Sequence, residues 1–410
     1  MNELKCRFCN TSLQHSFADL GVSPVANRFL REGDLYLMEP FFPLHAHVCH
    51  TCFLVQLPVV ISPEELFTDY KYFSSYSTSW LNHARDYAEM MVARFGFDAG
   101  SLVVEVASND GYLLQYFKRK GIPVLGIEPA TNVAEVAEAG GIPTLESFFG
   151  ADTAQDIVIS RQRADLIVGN NVLAHVPDIN DFVKGLAILL KDEGIIALEF
   201  PHLLNLMEQN QFDTIYHEHY SYLSLIAVDR ILAAHGLVLF DVEEIPTHGG
   251  SLRLFVAHRS DETRSTSDRV NRLKEKENRA GLESTQTYSS FAEKIKETKR
   301  KLLELLIAIK DRGNSIAGYG APAKGNTLLN YCGIGTDFID YTVDRSPHKQ
   351  GLFLPGSRIP IFTPDKIRET RPDYVLILPW NLKDEIAEQM CDIRSWGGKF
   401  IIPIPEPHLL

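Results

Sequence analysis

The chain has 410 residues, of which 45% are hydrophobic and 23% are charged, a composition typical of a water-soluble globular protein with two or three domains. Its 53 acidic side chains outnumber its 40 Lys and Arg side chains, and the resulting net charge of -13 disfavours a broad nucleic-acid-binding surface. No apolar run approaches the ~18 residues of a membrane span, and the first residues show no secretory signal pattern. We therefore expect a cytoplasmic protein with no membrane partner.

Two C-x2-C pairs, CRFC and CHTC, dominate the N-terminal region. In a reducing compartment, two such pairs separated by a longer loop are typical of a tetrahedral zinc site. Four thiolates complete the coordination sphere, so the metal would stabilise the fold and take no part in catalysis. Four unligated cysteines are the alternative. The sequence therefore predicts a zinc-binding domain over residues 1–66, with the ligands Cys6, Cys9, Cys49 and Cys52.

After an aromatic run and one helix, strand patterns and helix patterns alternate between residues 101 and 201, which indicates a doubly wound parallel sheet. We assign this central α/β domain to residues 67–256. The segment 261–312 is highly charged, and apolar residues at helical spacing in its second half predict an amphipathic connecting helix. A second α/β unit follows, so the C-terminal domain is predicted over 257–410.

The first strand-to-helix turn of the central domain, VVEVASNDGYLL, is short and has small side chains. Such a turn at the end of a first strand suits a bound nucleotide, and asparagine tolerates the left-handed backbone where glycine is usual. An acidic residue at the end of the second strand can bind both hydroxyls of a ribose. S-adenosylmethionine, a dinucleotide and an empty structural turn all remain open here. The candidate cofactor-binding residues are Glu105, Ala107, Asn109, Asp110, Gly111 and Glu128.

Three further polar residues follow the fourth strand of this domain, in VGNNVLAHVPDIN. Ligands of open α/β sheets bind outside the carboxyl ends of the strands, where these residues are expected. We therefore add Asn170 and Asn171 to the cofactor site and His175 to the catalytic site. A helix-capping asparagine and a surface histidine are the alternative.

The stretch FDTIYHEHYSYLS combines histidine, glutamate and tyrosine within a few residues. A metal site would use His217 and His219, but the spacing differs from H-E-x-x-H, in which two histidines share one helix face. Proton transfer fits better, because histidine titrates near neutral pH and a neighbouring carboxylate can orient it. A polar strand without catalytic function is the third interpretation.

The C-terminal α/β unit begins with AGYGAPAKGNTLLN. Glycines at a strand end, a lysine and a helix N-terminus together form a plausible cradle for phosphate, and an aspartate ends the next strand. An NAD site is the competing interpretation, and a packing turn is a third. The candidate substrate-binding residues are Gly318, Gly320, Lys324, Asn326 and Asp344.

Six stretches follow one another along the whole chain, in this order: CRFC…CHTC, VEVASNDGYLL, GIEPATNVA, FDTIYHEHYSYLS, PTHGGSLRLF and GYGAPAKGNTLLNYCGIG. Together they resemble the S-adenosylmethionine-dependent nucleotide-sugar C-methyltransferases, such as the C-3' methyltransferases for tetronitrose and kijanose. The resemblance implies an N-terminal zinc-binding domain, a central Rossmann-like class I methyltransferase domain and a C-terminal second α/β Rossmann-like domain. It also implies S-adenosylmethionine and a structural zinc ion as cofactors.

The family acts on a dTDP-4-keto-6-deoxyhexose, so the resemblance implies methylation, through an enolate, of a carbon next to the ketone. We expect this carbon to be C3, and C5 is the alternative because it is also next to the ketone. It implies that His219 is the base, that Tyr216 and Glu218 position it, and that the active site also includes His175 and a tyrosine, either Tyr70 or Tyr72. The cradle around Lys324 would bind the diphosphate.

The sequence departs from the common methyltransferase loop at Ala107 and Asn109, where glycines are frequent, and His217 replaces an acidic residue of the tetronitrose enzyme. The exact sugar, the nucleotide, the stereochemistry and the oligomeric state therefore stay open. An NAD-dependent nucleotide-sugar reductase or epimerase is the alternative enzyme, and a binding protein without catalysis is the third hypothesis.

Overall fold

A computed structural model describes residues 3–67, 73–76 and 78–410. The strands are, in chain order, β1 (His15–Ser23), β2 (Phe42–Val48), β3 (Val55–Gln56), β4 (Val103–Val106), β5 (Val124–Ile127), β6 (Thr144–Leu145), β7 (Ala164–Asn170), β8 (Leu190–Pro201), β9 (Ser221–Tyr222), β10 (Leu237–Ile245), β11 (Ser251–His258), β12 (Ile316–Tyr319), β13 (Thr342–Val343), β14 (Ile361–Phe362), β15 (Tyr374–Ile377), β16 (Lys399–Ile402) and β17 (His408–Leu409).

The helices are α1 (Pro63–Phe67), α2 (Thr78–Phe95), α3 (Leu114–Arg119), α4 (Thr131–Ala139), α5 (Ala151–Ser160), α6 (Ile179–Leu189), α7 (Leu203–Glu208), α8 (Leu225–Ala234), α9 (Asp268–Arg279), α10 (Thr285–Lys310), α11 (Ala323–Cys332), α12 (Asp365–Thr370) and α13 (Lys383–Gln389). Within the described ranges, every helix is too short or too polar to cross a membrane.

The chain divides into two compact units, and each consists of several separate segments. The first unit contains residues 1–13, 49–203 and 220–283, and the second contains 14–48, 204–219 and 284–410. This division differs from the three predicted domain ranges, because residues 14–48 group with C-terminal residues and not with the cysteine pairs on either side of them. The ranges 1–66, 67–256 and 257–410 remain a prediction.

A seven-stranded sheet forms the centre of the first unit, in the order β10-β11-β8-β7-β4-β5-β6. The strands from β4 to β8 are parallel, as predicted, and β11 runs antiparallel to both of its neighbours, β8 and β10. Every residue of β4 and β5 is buried, which is typical of parallel strands covered on both faces.

Alternate residues of the central strands enter two different apolar clusters, as the pleat of a strand requires. On β8, for example, Ile196, Leu198 and Phe200 lie in one cluster, while Ile195 and Ala197 lie in the other. The first cluster also contains helix α6 and three of the N-terminal cysteines, and the second contains helix α2. The sheet is therefore covered on one face by the region around the cysteine pairs.

The sequence pattern of INDFVKGLAILLKDEG predicts one helix over 179–194, but this boundary is wrong, because helix α6 ends at Leu189 and β8 begins at the next residue. Leu190 is fully buried and pairs with Ala164 of β7, while Lys191 donates a hydrogen bond to Asp165 at 2.7 Å. Pairing with the neighbouring strand therefore overrides the helical propensity of this lysine-containing stretch.

The side-chain carboxylate of Asp241, in β10, accepts hydrogen bonds from two arginines of the first unit, Arg94 and Arg269. Burial raises its pKa, but hydrogen bonds from Arg269, Ser267 and Arg94 outweigh burial and lower the pKa to about 2. Because the unfolded pKa is higher, about 3.9, this group stabilises the fold above about pH 4 and loses its contribution as the pH falls towards about 2. Ionisation of Asp241 therefore links stability of the first unit to acid pH.

We expect Asp241→Asn to lower the free energy of unfolding at pH 7 by about 1 to 2 kcal/mol, since partly exposed partners weaken the pairs. The difference from wild type should shrink in urea unfolding near pH 2.5, because the unfolded carboxylate is then almost fully protonated while the folded one, with a pKa of about 2, is partly protonated. Asp192→Asn, which changes a carboxylate that is 96% exposed, is the control. An equal loss at both pH values would contradict the linkage.

The second unit contains an antiparallel hairpin and a mostly parallel sheet. Strands β1 and β2 form the hairpin, and the sheet has the order β14-β13-β12-β15-β16-β17, in which only β17 is antiparallel to its neighbour. Fully buried Phe17 of β1 stacks on Phe291 of helix α10 with ring centres 5.0 Å apart. The predicted amphipathic helix within 261–312 is therefore present, and its apolar face packs on the hairpin.

Candidate active site

The four predicted zinc ligands meet in the first unit. The Sγ atoms of Cys6, Cys9, Cys49 and Cys52 all lie within 4.8 Å of one another, and three pairs are 3.5 to 3.6 Å apart. Four thiolates at the usual zinc–sulfur distance of 2.3 Å are about 3.8 Å apart in a tetrahedron, so the cluster fits a structural zinc ion. Among the residues that the structure describes, no other His, Cys, Asp or Glu cluster has this spacing.

Polar contacts around the cluster support this assignment. The side-chain amide of Gln56 donates to Cys6 Sγ at 3.2 Å, and the backbone N–H of Thr51 donates to Cys49 Sγ at 3.4 Å, as expected for thiolate ligands. Arg7, between the first two cysteines, donates to the carbonyl oxygens of Pro177, at 2.8 Å, and Leu57. The cysteine-rich segment is thereby bonded to the loop that follows β7.

The turn after β4 has the tight backbone that its small residues predict. Ala107, Asn109 and Gly111 all have positive φ, at 57°, 51° and 77°. A Cβ atom on Gly111 would lie 2.8 Å from Ile142 Cγ1, so a larger residue does not fit there. The side chain of Asn109 accepts the backbone N–H of Ser74 at 2.9 Å, which fixes the turn from a second side.

Acidic side chains surround this turn. Both carboxylate oxygens of Glu128 accept backbone N–H groups, from Asn109 at 2.9 Å and Ala130 at 3.0 Å. Burial raises the pKa of Glu128 and of Asp110, although backbone hydrogen bonds oppose the shift in both. Burial also raises the pKa of Glu105 well above its usual value, against a hydrogen bond with Tyr112. The bonds at Glu128 hold its carboxylate in a fixed orientation after β5.

Unpaired buried atoms at the same strand ends test whether a nucleotide cofactor fits. Within the described part of the chain, Asn170 Oδ1 and Nδ2, Asn171 Oδ1 and Asp110 Oδ1 have no protein partner although they are shielded from solvent. Buried polar groups normally find partners, so this set of donors and acceptors suits a polar ligand. S-adenosylmethionine, with its ribose hydroxyls and amino-acid group, matches that chemistry.

His175 ends a short 3-10 turn after β7, and its backbone N–H donates to Val172 at 2.8 Å. Nearby in the sequence, Asn171 contacts His248 of the PTHGG stretch, with Nδ2 and Nε2 3.3 Å apart. Trp80 of helix α2 packs on His248, with ring centres 5.2 Å apart. The PTHGG stretch was one of the six motifs of the resemblance, but nothing in the sequence predicted the contacts of His248 with Asn171 and Trp80.

The stretch that begins FDTIYHEHY forms a turn, because His219 N–H donates to the Tyr216 carbonyl at 2.9 Å. His219 Nδ1 lies 2.9 Å from the carbonyl oxygen of Thr214, which can only accept, so Nδ1 carries a proton. In the neutral ring Nε2 is then the acceptor, and it lies 2.9 Å from the Tyr216 hydroxyl. The structure thus gives His219 one defined tautomer with a basic nitrogen facing a phenol.

Glu218 and His217 have separate partners in the second unit. Glu218 is 2% exposed, its pKa is raised by burial, and its Oε1 accepts both the backbone and side-chain N–H groups of Asn27. His217 Nε2 lies 3.2 Å from the Pro43 carbonyl oxygen, and burial lowers its pKa. Because His217 and His219 bond to different carbonyl groups, the metal interpretation of this stretch gains no support.

The candidate substrate residues of the C-terminal unit lie around β12. Gly318 is in the strand, Gly320 follows it with φ 88°, and Lys324 is in the first turn of α11, where Nζ donates to Asn381 at 2.8 Å. Asn326 is buried and donates to the Ala26 carbonyl at 2.6 Å. Asp344, after β13, accepts the backbone N–H groups of Ala321 and Ser346, both at 2.8 Å. Their predicted role in binding substrate stays a prediction.

Sequence reasoning missed several residues that contact this region. Asn27, Asp213 and Trp380 were not singled out, although Asp213 lies in the quoted stretch FDTIYHEHYSYLS, and neither Asn27 nor Trp380 had a local signal. Tyr70 and Tyr72 lie outside the described residues. The site prediction therefore named the central residues of the turn but not the side chains that hold them.

Three family models match the sequence in chain order: a zinc binding domain at residues 6–67, a methyltransferase domain at 80–242 and a C-methyltransferase C-terminal domain at 246–405. The C-methyltransferase NovU of Streptomyces niveus is 37% identical over 406 residues, which cover 99% of this chain and 96% of NovU. The chain belongs to the C-methyltransferase family.

More limited similarities concern one part of this C-methyltransferase. The ubiquinone biosynthesis O-methyltransferase of Rhodopseudomonas palustris strain HaA2 is 30% identical over 101 residues, 24% of this chain and 40% of that protein. The magnesium protoporphyrin IX methyltransferase of Synechocystis PCC 6803 with bound SAM has a TM-score of 0.34 and 16% identity, over 43% of this chain and 79% of that one.

The predicted family, the α/β fold class and the enzyme class, an S-adenosylmethionine-dependent C-methyltransferase with a zinc site, are confirmed by these matches and by the cysteine cluster. The alternative of an NAD-dependent reductase or epimerase has no support from them.

Proposed function

We propose that the C-methyltransferase transfers a methyl group to C3 of a dTDP-4-keto-6-deoxyhexose through an enolate. The observation that carries this proposal is the hydrogen-bonded chain from the Thr214 carbonyl through His219 to Tyr216. A hydrogen next to a ketone is weakly acidic, so its removal needs a positioned base and a donor for the enolate oxygen. His219 Nε2 and the Tyr216 hydroxyl supply these two functions.

In the proposed reaction, His219 Nε2 takes the proton from C3, and the electron pair of the C–H bond enters the enolate. Tyr216 then donates its hydroxyl proton in a hydrogen bond to the enolate oxygen. S-adenosylmethionine supplies an electrophilic methyl group when bound. C3 forms the new carbon–carbon bond, while the pair of the broken C–S bond stays on sulfur. The buried carboxyl of Glu218, held by Asn27, keeps the turn in place.

The first unit would hold the methyl donor. Glu128 is proposed to bind the ribose hydroxyls. Asn170, Asn171 and Asp110 are proposed to bind other polar groups of the ligand, because each has at least one buried polar atom without a partner among the described residues. The zinc ion, bound by four cysteines, has no open position and would act only on stability. His175 is proposed to line the active site.

In the second unit, residues around β12 and in the first turn of α11 are proposed to bind the diphosphate of the nucleotide sugar. The three domain ranges 1–66, 67–256 and 257–410 are part of the same proposal. A zinc site of four thiolates suits a reducing compartment, so the cytoplasm is the proposed location.

Mass spectrometry of a panel of dTDP- and GDP-4-keto-6-deoxy sugars, incubated with the purified enzyme and methyl-deuterated S-adenosylmethionine, tests this function. We expect one dTDP sugar to gain a trideuteromethyl group at C3. A label at C5, which is also next to the ketone, would correct the position. If the enzyme binds the methyl donor but labels none of these sugars, the ketosugar proposal and the role of His219 both fail.

A further inference from the structure

The C-terminal sheet reverses its direction of growth between β12 and β15, because β13 and β14 lie on one side of β12 and β15 to β17 lie on the other. Open α/β sheets bind ligands in the crevice outside such a point. Here the two loops that border the crevice approach closely, since a Cβ on Gly320 would lie 2.5 Å from Pro379 Cδ. The residues after the two strands include Lys324, Trp380 and Asn381.

A carboxylate from another segment of the same unit lies against these residues. Asp213 is fully buried, and Trp380 Nε1 donates to its Oδ2 at 2.7 Å. Lys324 Nζ lies 4.5 Å from the centre of the Trp380 ring and donates to Asn381. Burial raises the pKa of Asp213 to about 6, and the charge of Lys324 and the bond from Trp380 oppose that shift. An acidic side chain of the unit itself therefore contacts the loop after β15.

Asp213 immediately precedes the residue that fixes the tautomer of His219. The carbonyl oxygen of Thr214 accepts the His219 Nδ1 proton, and the next carbonyl, of Ile215, accepts the Thr327 hydroxyl of α11 at 3.1 Å. The turn is therefore bonded to the C-terminal sheet loops at Asp213 and to helix α11 at Ile215. Because Asp213 and Thr214 are adjacent, we expect a displacement of the Asp213 backbone to move the Thr214 carbonyl group.

We propose that Asp213, Trp380 and Lys324 are positioning residues that hold the Thr214 carbonyl against His219 and so keep Nε2 as the basic nitrogen. The assignment rests on the proposed role of His219 as the base. Burying a carboxylate such as that of Asp213 costs more free energy than burying an apolar side chain of similar size, so simple packing is a poor explanation for this group. The charge of Lys324 also acts on Asp213 through space, in addition to any contact of Lys324 with a diphosphate.

The variant Trp380→Phe tests this assignment because it keeps the ring and removes only the N–H donor to Asp213. Trp396→Phe is the matched control, since Trp396 Nε1 donates to the Pro372 carbonyl at 3.1 Å. We expect kcat of Trp380→Phe to fall about tenfold with little change in KM, because a misplaced catalytic group lowers turnover. Asp213→Asn, which preserves shape, should show the same separation of kcat from KM.

A second readout does not depend on turnover. The chain has 14 histidines, and nitrogen-15 labelling of histidine, with His219→Asn for assignment, gives the ring nitrogen shifts of His219. Wild type and Trp396→Phe should show a single tautomer with the proton on Nδ1, whereas Trp380→Phe and Asp213→Asn should show a mixture. An unchanged tautomer and an unchanged kcat in both Trp380→Phe and Asp213→Asn would overturn the proposal.

Lys324→Met separates the two roles of the lysine. If Lys324 acts through Asp213, the variant lowers kcat and alters the His219 tautomer. A rise in KM for the sugar with an unchanged tautomer would instead remove Lys324 from the positioning group. Incorporation of deuterium from deuterated water into the ketosugar reports removal of the C3 hydrogen directly. If wild type incorporates no deuterium, the proposed function fails. The ring nitrogen shifts of His219 still show whether Asp213, Trp380 and Lys324 determine its tautomer.

Discussion

The variant His219→Asn is expected to turn over at least about 10²-fold more slowly than wild type, which is the usual size of a general-base contribution. An asparagine amide can still donate to the Thr214 carbonyl, but it has no basic nitrogen in place of Nε2. Affinity for S-adenosylmethionine should stay near wild type, because the proposed donor site uses other residues. Steady-state kinetics on the labelled sugar and calorimetric titration of the cofactor measure the two quantities.

His217→Asn is the matched control for that experiment. His217 lies in the same turn and is buried, but its Nε2 bonds to the Pro43 carbonyl, and an asparagine can donate there too. We expect this variant to keep most of its turnover. Near-wild-type turnover in His219→Asn, or an equal loss in both variants, would remove His219 from the role of base.

Loss of one zinc ligand should have the largest effect on stability. In Cys52→Ser, three thiolates would remain around an incomplete site in which Cys6 and Cys49 are buried. Because unpaired buried charges cost several kcal/mol, we expect the melting temperature to fall by about 10 °C. Metal analysis should find less than one zinc ion per chain, and differential scanning calorimetry measures the melting temperature.

The exposed residue Cys391, which lies outside the cluster, supplies the control variant Cys391→Ser. This variant should keep both its zinc content and its melting temperature. If Cys52→Ser retained one zinc ion and the wild-type melting temperature, the four cysteines would not form a structural zinc site.

Local sequence patterns were sufficient to predict the parallel strands of the central sheet and the zinc cluster. Strands such as Val103–Val106 are buried on both faces, so they appear as short apolar runs between turn residues. Pairs of cysteines two residues apart predict a tetrahedral site from spacing alone. The left-handed backbone at Asn109 was also predictable, because few other residues adopt it at low cost.

Long-range contacts were not predictable in the same way. Asn27 bonds to Glu218, 191 residues away in the sequence, and Trp380 bonds to Asp213, 167 residues away. Neither pair has a local signature, since an asparagine or a tryptophan in a loop serves many purposes. The sequence therefore identified the turn that carries the candidate base. The side chains that hold this turn, such as Asn27 and Trp380, could be identified only from the tertiary structure.

The contact between Phe17 and Phe291 has a consequence for biosynthesis. Phe17 is synthesised well before its packing partner Phe291, which lies much further along the chain. During translation the β1–β2 hairpin would thus expose an apolar surface until Phe291 has been made, a condition in which nascent chains aggregate or recruit chaperones. A chain truncated before Phe291 is therefore expected to be insoluble or chaperone-bound, even if it contains all residues of the seven-stranded sheet.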